Sequence, residues 1–315
     1  MNSRRTVKSV PRSRALAAAV LLAALALTAC DDGPPPATVG SSEPSTAAAG
    51  EDSAYPTYVA LGDSYTAAPG VPQTEQETGC LRSNGNYASL VAHQLKSSFV
   101  DVSCVGASTI ALAGAQQLSN HVAPPQFAAL STDTSLVTLG IGGNDLKLFE
   151  TMIGTCGQFG LSDPDGSPCR DYMKDAGKDE KDLLVEKIGK IKVRLVNALK
   201  AIHDRSPRAE VVLVGYPQPI PAKKTCRILP LAKGDYRYVR GLVVTLDQAM
   251  REAAKKARAT YVDVLGPSQG HDICAGEDAW VNGVNTDLMR ALAFHPFAAE
   301  QQAVADLIMK KLDKG

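Results

Sequence analysis

From Tyr55 onward, short apolar runs alternate with stretches whose apolar residues recur every three or four positions. Thr57 to Leu61 and Phe99 to Val105 are β-rich runs ending at Gly62 and Gly106. Ser135 to Leu139 runs into Gly140-Ile141-Gly142-Gly143-Asn144-Asp145, and Glu210 to Val214 and Thr260 to Val264 add a fourth and a fifth strand. Helical spacing covers Asn86 to Leu95, Asp182 to Ile202, Tyr238 to Ala257 and Pro296 to Leu312, with a short helix over Pro125 to Leu130. Strands that alternate with helices imply right-handed parallel crossovers, hence an α/β fold of three layers (α/β/α) around a central parallel sheet of about five strands. Ligands of such sheets bind outside the carboxyl ends of the strands, which puts the loops after the first three strands at one rim.

A different pattern precedes this domain. Arg4, Arg5, Lys8, Arg12 and Arg14 form a basic start with no acid before Cys30, and Ala15 to Thr28 is an apolar run too short to span a bilayer comfortably. Residues 1–30 therefore read as an export signal. It stops at Leu27-Thr28-Ala29-Cys30, which resembles a bacterial lipobox, so Cys30 is expected to be lipidated and to become the new N-terminus. Residues 31–54, rich in Pro, Ser, Thr, Ala and Gly, cannot bury enough surface to offset their ordering entropy and read as a flexible tether. Residues 55–315 then make one catalytic-sized domain, anchored to the outer face of the membrane or secreted.

Charge narrows the partners. The chain has 33 basic and 33 acidic residues, and five of the basic ones lie in the signal, so the remainder is mildly acidic and unsuited to nucleic acid. A monomer is expected. Seven cysteines leave an even set of six once Cys30 is set aside, which in an exported chain implies three disulfides. Six cysteines allow roughly fifteen connectivities; their order suggests the local bridges Cys80–Cys104, Cys156–Cys169 and Cys226–Cys274. No CxxC pair argues for zinc, and no metal or organic cofactor is expected. Asp163-Pro164-Asp165-Gly166 hints at a calcium loop, but Lys174 stands where an EF-hand glutamate would be needed, so it reads as a turn.

Candidate chemistry gathers at the rim. Ser64, in Gly62-Asp63-Ser64-Tyr65 after the first strand, sits where a strand hands over to a helix and can act as a nucleophile if a base and an anion hole are near. Gly106 can bring a backbone N–H close to a ligand, and Asn144 offers a carboxamide on a glycine-rich turn. Ser64 N–H, Gly106 N–H and the Asn144 amide would converge on one developing oxyanion. Of the five histidines, His93, His121 and His203 fall in helices or a loop away from that rim. His271 is a secondary candidate, and His295, just before Pro296, is placed at the N-cap of the last helix and at the rim. Asp63 and Asp145 read as loop braces. Trp280, the only tryptophan, either lines the pocket or packs.

Gly62-Asp63-Ser64, Gly106, Gly142-Gly143-Asn144-Asp145 and His295-Pro296, each after a predicted strand and in this order, resemble the four blocks of the SGNH/GDSL hydrolases. Within that family the chain looks closest to secreted actinobacterial esterases and lipases with three disulfides. The resemblance implies a flavodoxin-like sheet, Ser64 as nucleophile, His295 as base, and Ser64, Gly106 and Asn144 as the oxyanion hole. The chain departs from the family in one place. Leu292 stands where an aspartate usually orients the histidine, so the Leu292 carbonyl is expected to hold His295, with Asp287 as the nearest carboxylate upstream.

The expected function is an exported serine esterase or lipase that cleaves carboxylic esters by acyl transfer. Two rivals remain at this level: a polysaccharide O-deacetylase of the same fold, and a ligand-binding lipoprotein without turnover.

Overall fold

The computed structural model describes residues 53–177 and 181–313. The expected export signal, Cys30 and all of the expected tether but its last two residues lie outside the described residues. The strands are β1 (Thr57–Gly62), β2 (Ser98–Asp101), β3 (Gln116–Gln117), β4 (Val122–Ala123), β5 (Leu136–Gly140), β6 (Glu210–Val214) and β7 (Thr260–Val262). Five of them form one parallel sheet in the order β2-β1-β5-β6-β7, and β3 and β4 make a small antiparallel hairpin beside it. The helices are α1 (Ser64–Ala67), α2 (Tyr87–Leu95), α3 (Thr109–Ala113), α4 (Cys156–Ser162), α5 (Pro168–Asp175), α6 (Leu183–Arg205), α7 (Asp235–Ala257) and α8 (Ala298–Leu312).

Period-two alternation sorts the strand side chains between two apolar layers. Val59, Leu61, Val211 and Leu213 face the layer built with α6 and α7. Tyr58, Ala60, Val212 and Val214 face the layer built with α2 and α8. Both faces of the sheet are thus covered, as a parallel sheet requires. Trp280 packs against both layers and stacks on His271, with ring centroids 4.6 Å apart. Packing, rather than the pocket wall, is its place, and His271 is held in that stack with its Nδ1 2.7 Å from the Asp278 carbonyl oxygen.

Cys80–Cys104, Cys156–Cys169 and Cys226–Cys274 are bonded, the pairing that the order of the cysteines suggested. The first ties the segment after α1 to the chain just ahead of Gly106, and the second ties α4 to α5. Asp163-Pro164-Asp165-Gly166 is a turn: Asp163 accepts the Gly166 N–H at 3.0 Å and Asp165 pairs with Lys233 at 2.6 Å.

Several element boundaries differ from the sequence reading, and two of them bear on the site, each set by a contact with another segment. The second strand ends at Asp101, not Val105, because the Asp101 carboxylate turns the chain: it accepts Ser103 N–H at 2.8 Å and the Asn86 amide at 2.7 Å. The last helix begins at Ala298, with Phe297 as its N-cap. His295 is therefore not a helix cap. The backbone of residues 295–297 pairs instead with 280–282, with Asn282 N–H on the His295 carbonyl at 2.9 Å and Phe297 N–H on that of Trp280 at 2.8 Å. That short pairing fixes the main chain that carries the imidazole.

Candidate active site

The turn after β1 is built by its own side chains. Asp63 caps α1, accepting the Tyr65 N–H on Oδ1 at 2.9 Å, while its carbonyl accepts the N–H groups of Thr66 and Ala67. Of the first amides of α1, the Ser64 N–H alone lacks a protein partner among the described residues, as a donor meant for a ligand would. Gly62 has to be glycine, since a Cβ there would stand 2.1 Å from Thr66 Oγ1. Gln126 clamps it from the side, its carboxamide accepting the Gly62 N–H at 2.8 Å and donating to the Gly62 carbonyl at 2.9 Å.

The loops after β2 and β5 are joined by two contacts. Asn144 Nδ2 donates to the Ala107 carbonyl at 3.0 Å, next to Gly106, whose φ of +74° is in the left-handed region that favours glycine. Asp145, wholly buried, accepts Thr109 N–H at 2.8 Å and Thr109 Oγ1 at 2.5 Å, and pairs with Arg194 of α6 at 2.7 Å. Asp63 and Asp145 are braces, as their positions on turns suggested.

His295 reaches the same rim from the other end of the chain. Its Nδ1 lies 2.7 Å from the Ala293 carbonyl oxygen. A carbonyl only accepts, so Nδ1 carries the hydrogen and Nε2 keeps a lone pair able to take a proton. The orienting carbonyl is thus that of Ala293, one residue on from the expected Leu292. The Leu292 carbonyl is occupied by the His295 N–H and the Asn282 amide, both at 3.2 Å. Asp287 is not recruited either, because its carboxylate accepts the Met289 N–H at 3.0 Å within its own turn. Phe294, immediately before the histidine, holds a φ of +60°, an unusual value for a bulky side chain and of the kind that clusters at active sites. Tyr65 OH donates to the Phe294 carbonyl at 2.9 Å and ties the Ser64 turn to the histidine loop.

Burial lowers the His295 pKa from its ordinary value, opposed in part by the bond to Ala293. Burial also pushes the Asp63 carboxyl up to about 7, against the hydrogen bonds from Tyr216 and Tyr65. In the first turn of α8, Glu300 is pushed up to about 8 by burial. Its neighbour Gln301 donates to the Tyr65 carbonyl at 3.0 Å and accepts the Tyr87 N–H at 2.7 Å, so α8 also holds the Ser64 turn.

Ser64, Asn144 and His295 line one cavity of about 270 Å³; Gly106 is not among its lining residues, and its neighbour Ala107 accepts the Asn144 amide. The remaining wall is almost all apolar, with Phe149, Met152, Ile153, Val243, Ile273 and Val281 among it. Met152, Ile153 and Gly154 come from a π-helical turn over Glu150–Thr155, the extra-residue turn that often marks functional sites. Sequence reasoning missed Gln126, Tyr65, Tyr216 and Gln301. A buried polar residue after a strand or in an apolar helix face was the one available signal for them.

A serine and a histidine at the carboxyl rim of a doubly covered parallel sheet, beside an apolar cavity, define an α/β ester hydrolase. The profile of the GDSL-like lipase/acylhydrolase family matches residues 60–303, and the chain belongs to that family. It is 42% identical over 236 residues to "Lipase 2" of Streptomyces coelicolor, which covers 73% of this chain and 77% of the relative. Among solved structures it is similar to phospholipase A1 from Streptomyces albidoflavus (TM-score 0.62, 26% identity, 82% of this chain and 99% of the other). The extracellular lipase of Streptomyces rimosus has the same fold (TM-score 0.61, 24% identity, 81% and 98%). The chain is a carboxylic ester hydrolase, and its three disulfides are those of an exported protein.

Proposed function

We propose that the protein is a lipase or esterase for esters of apolar acyl chains, in which Ser64 and His295 carry out acyl transfer. The cavity carries this reading: an apolar pocket lined by Ser64 together with buried Val243 and Val281 suits an acyl chain better than an acetylated sugar. His295 Nε2 takes the proton of Ser64 Oγ as that oxygen bonds to the ester carbonyl carbon. Ser64 N–H, Gly106 N–H and the Asn144 amide hold the resulting oxyanion, and His295 returns the proton to the departing alcohol. Water then repeats the sequence on the acyl-enzyme and releases the acid. The Ala293 carbonyl replaces a carboxylate as the orienting group; it sets the tautomer and takes up part of the imidazolium charge.

A chain-length series tests the cavity. Each methylene buried is worth about 0.8 kcal/mol, so kcat/KM for p-nitrophenyl esters should climb by about fourfold per methylene from acetate until the floor is met. Val243→Phe should fill part of the cavity, lowering turnover of the longer esters while acetate is little affected. A wild type that prefers acetate would contradict the acyl-pocket reading.

The pH profile tests the base. Only neutral His295 accepts the serine proton, and burial lowers its pKa, so activity should persist into mild acid and fall on a limb centred below 6.5. Asp63, at about 7, titrates above that limb. A single acid limb centred above 6.5 would count against His295 in this environment.

We further read Cys30 as the site of lipid attachment, holding the domain on the outer face of the membrane. The Leu27-Thr28-Ala29-Cys30 sequence supports this, as does the pairing of the six later cysteines among themselves. Metabolic labelling with an alkynyl palmitate should mark the wild type and not Cys30→Ser; equal labelling of both would refute the assignment.

A further inference from the structure

Tyr216, two residues past β6, is almost wholly buried and has no part in the acyl-transfer steps above. Its hydroxyl donates to Asp63 Oδ2 and accepts the Gly143 N–H at 2.9 Å. Asp63 immediately precedes Ser64, and Gly143 immediately precedes Asn144. One phenolic oxygen therefore joins the turn that carries the nucleophile to the loop that carries the amide donor. The ring itself is fixed edge-on to Tyr65 (5.3 Å between centroids) and to Phe149 (4.9 Å). Phe149 lies so close over the loop that a Cβ at Gly143 would stand 2.3 Å from its ring.

The loop needs such a restraint. Gly142 and Gly143 bring no side chains to pack, and Gly142 has a φ of +126° that few other residues adopt. Its position rests on backbone hydrogen bonds: Asp145 N–H to the Gly142 carbonyl at 3.2 Å, Phe149 N–H to the Gly143 carbonyl at 3.0 Å, and Gly143 N–H to Tyr216. The first two lie within the loop and its own continuation. The third reaches across to the Asp63 side chain and adds to the bond from the Asp63 N–H to the Gly140 carbonyl at 2.9 Å, which joins the two turns further back, at the end of β5.

We propose that Tyr216 is a positioning residue for the oxyanion hole, its hydroxyl setting the distance between the Ser64 N–H and the Asn144 amide through Asp63 and Gly143. This rests on the reading of Ser64 and Asn144 as donors to the oxyanion. The carboxyl of Asp63, raised by burial, is held in the same network and contributes a partner that cannot turn to solvent. A displacement of about 1 Å at a catalytic constellation can cost up to roughly 10²-fold in rate.

Tyr216→Phe keeps the ring, its aromatic contacts and the cavity wall, and removes only the hydroxyl. A drop in kcat of about 10- to 100-fold with KM unchanged is expected. Binding of an alkyl boronic acid, whose tetrahedral adduct on Ser64 puts an oxygen in the hole, should weaken by the same factor. Asp63→Asn should act in the same direction, and the double variant should be no worse than the poorer single one, because both break one network. Should Tyr216→Phe lose its thermal transition, Asp63→Asn carries the same comparison. Wild-type kcat and boronate affinity in Tyr216→Phe would overturn the proposal, as would a lower kcat with boronate binding intact, or additive losses in the double variant. A Ser64→Ala protein that still turns over esters would instead overturn the underlying assignment, and this proposal with it.

Discussion

Ser64→Ala is expected to lower kcat by on the order of 10⁴- to 10⁶-fold, and His295→Ala by a comparable factor, since a nucleophile and its base act as one unit. Their double variant should therefore be no slower than the slower single one. Neither change should unfold the protein. Ser64 is nearly buried, but its side chain is small and Asp63, not Ser64, caps α1. The His295 backbone is held by pairing with Asn282, which the substitution does not touch. The measurement is turnover of p-nitrophenyl butyrate beside thermal melting of each variant. A folded Ser64→Ala protein with a tenth of wild-type activity would show that the nucleophile lies elsewhere. His271 would then be no substitute base, because its ring is stacked on Trp280 and its Nδ1 is engaged by the Asp278 carbonyl.

The carbonyl that orients His295 bears on how strong the base can be. A carboxylate would stabilise the imidazolium by full charge, and a carbonyl does so only by its dipole. Here the ring is also buried, which opposes protonation further. Relative to a histidine paired with a carboxylate both act in one direction, and although the Ala293 bond opposes burial in part, they leave a weaker base whose pKa lies below the ordinary histidine value. What the site gives up in basicity it recovers in geometry: the Ala293 carbonyl, the pairing of 295–297 with 280–282 and the Tyr65–Phe294 bond all fix the ring by short-range contacts.

Much of this was legible in the chain because the relevant signals are local. Short apolar runs followed by glycine mark β1, β5 and β6, and the ends of the first two are where Ser64 and Asn144 stand. The six cysteines pair in the order of their sequence because each bridge closes a nearby loop. What escaped was set by contacts between distant segments. Asp101 ends β2 early by binding Asn86, fifteen positions away in sequence. His295 leaves the helix cap because Trp280 and Asn282 offer backbone partners that no periodicity records. The displacement of the orienting carbonyl from Leu292 to Ala293 follows from the same pairing. Tyr216 and Gln126 act through hydrogen bonds to backbone atoms of other strands' loops, which leave no mark in spacing or composition.

Asn144→Ala is expected to lower kcat by about 10²- to 10³-fold, the usual cost of losing one oxyanion donor. The substitution also frees the Ala107 carbonyl, which accepts from the Asn144 amide at 3.0 Å. That carbonyl lies beside Gly106, so part of the loss should come from a second donor drifting out of line. KM should change little, because the ground-state carbonyl of an ester is a weak acceptor and the donors are aimed at the oxygen of the tetrahedral anion. Asn144→Asp makes a sharper comparison: it keeps the size but replaces the donor by a negative charge facing both the Ala107 carbonyl and the forming oxyanion, so its kcat should fall below that of the alanine variant. Steady-state kinetics on a soluble ester, with kcat and KM resolved for both variants, decides between roles. A raised KM at near-normal kcat would make Asn144 a substrate-binding group, and the oxyanion would then depend on Ser64 N–H and Gly106 N–H alone.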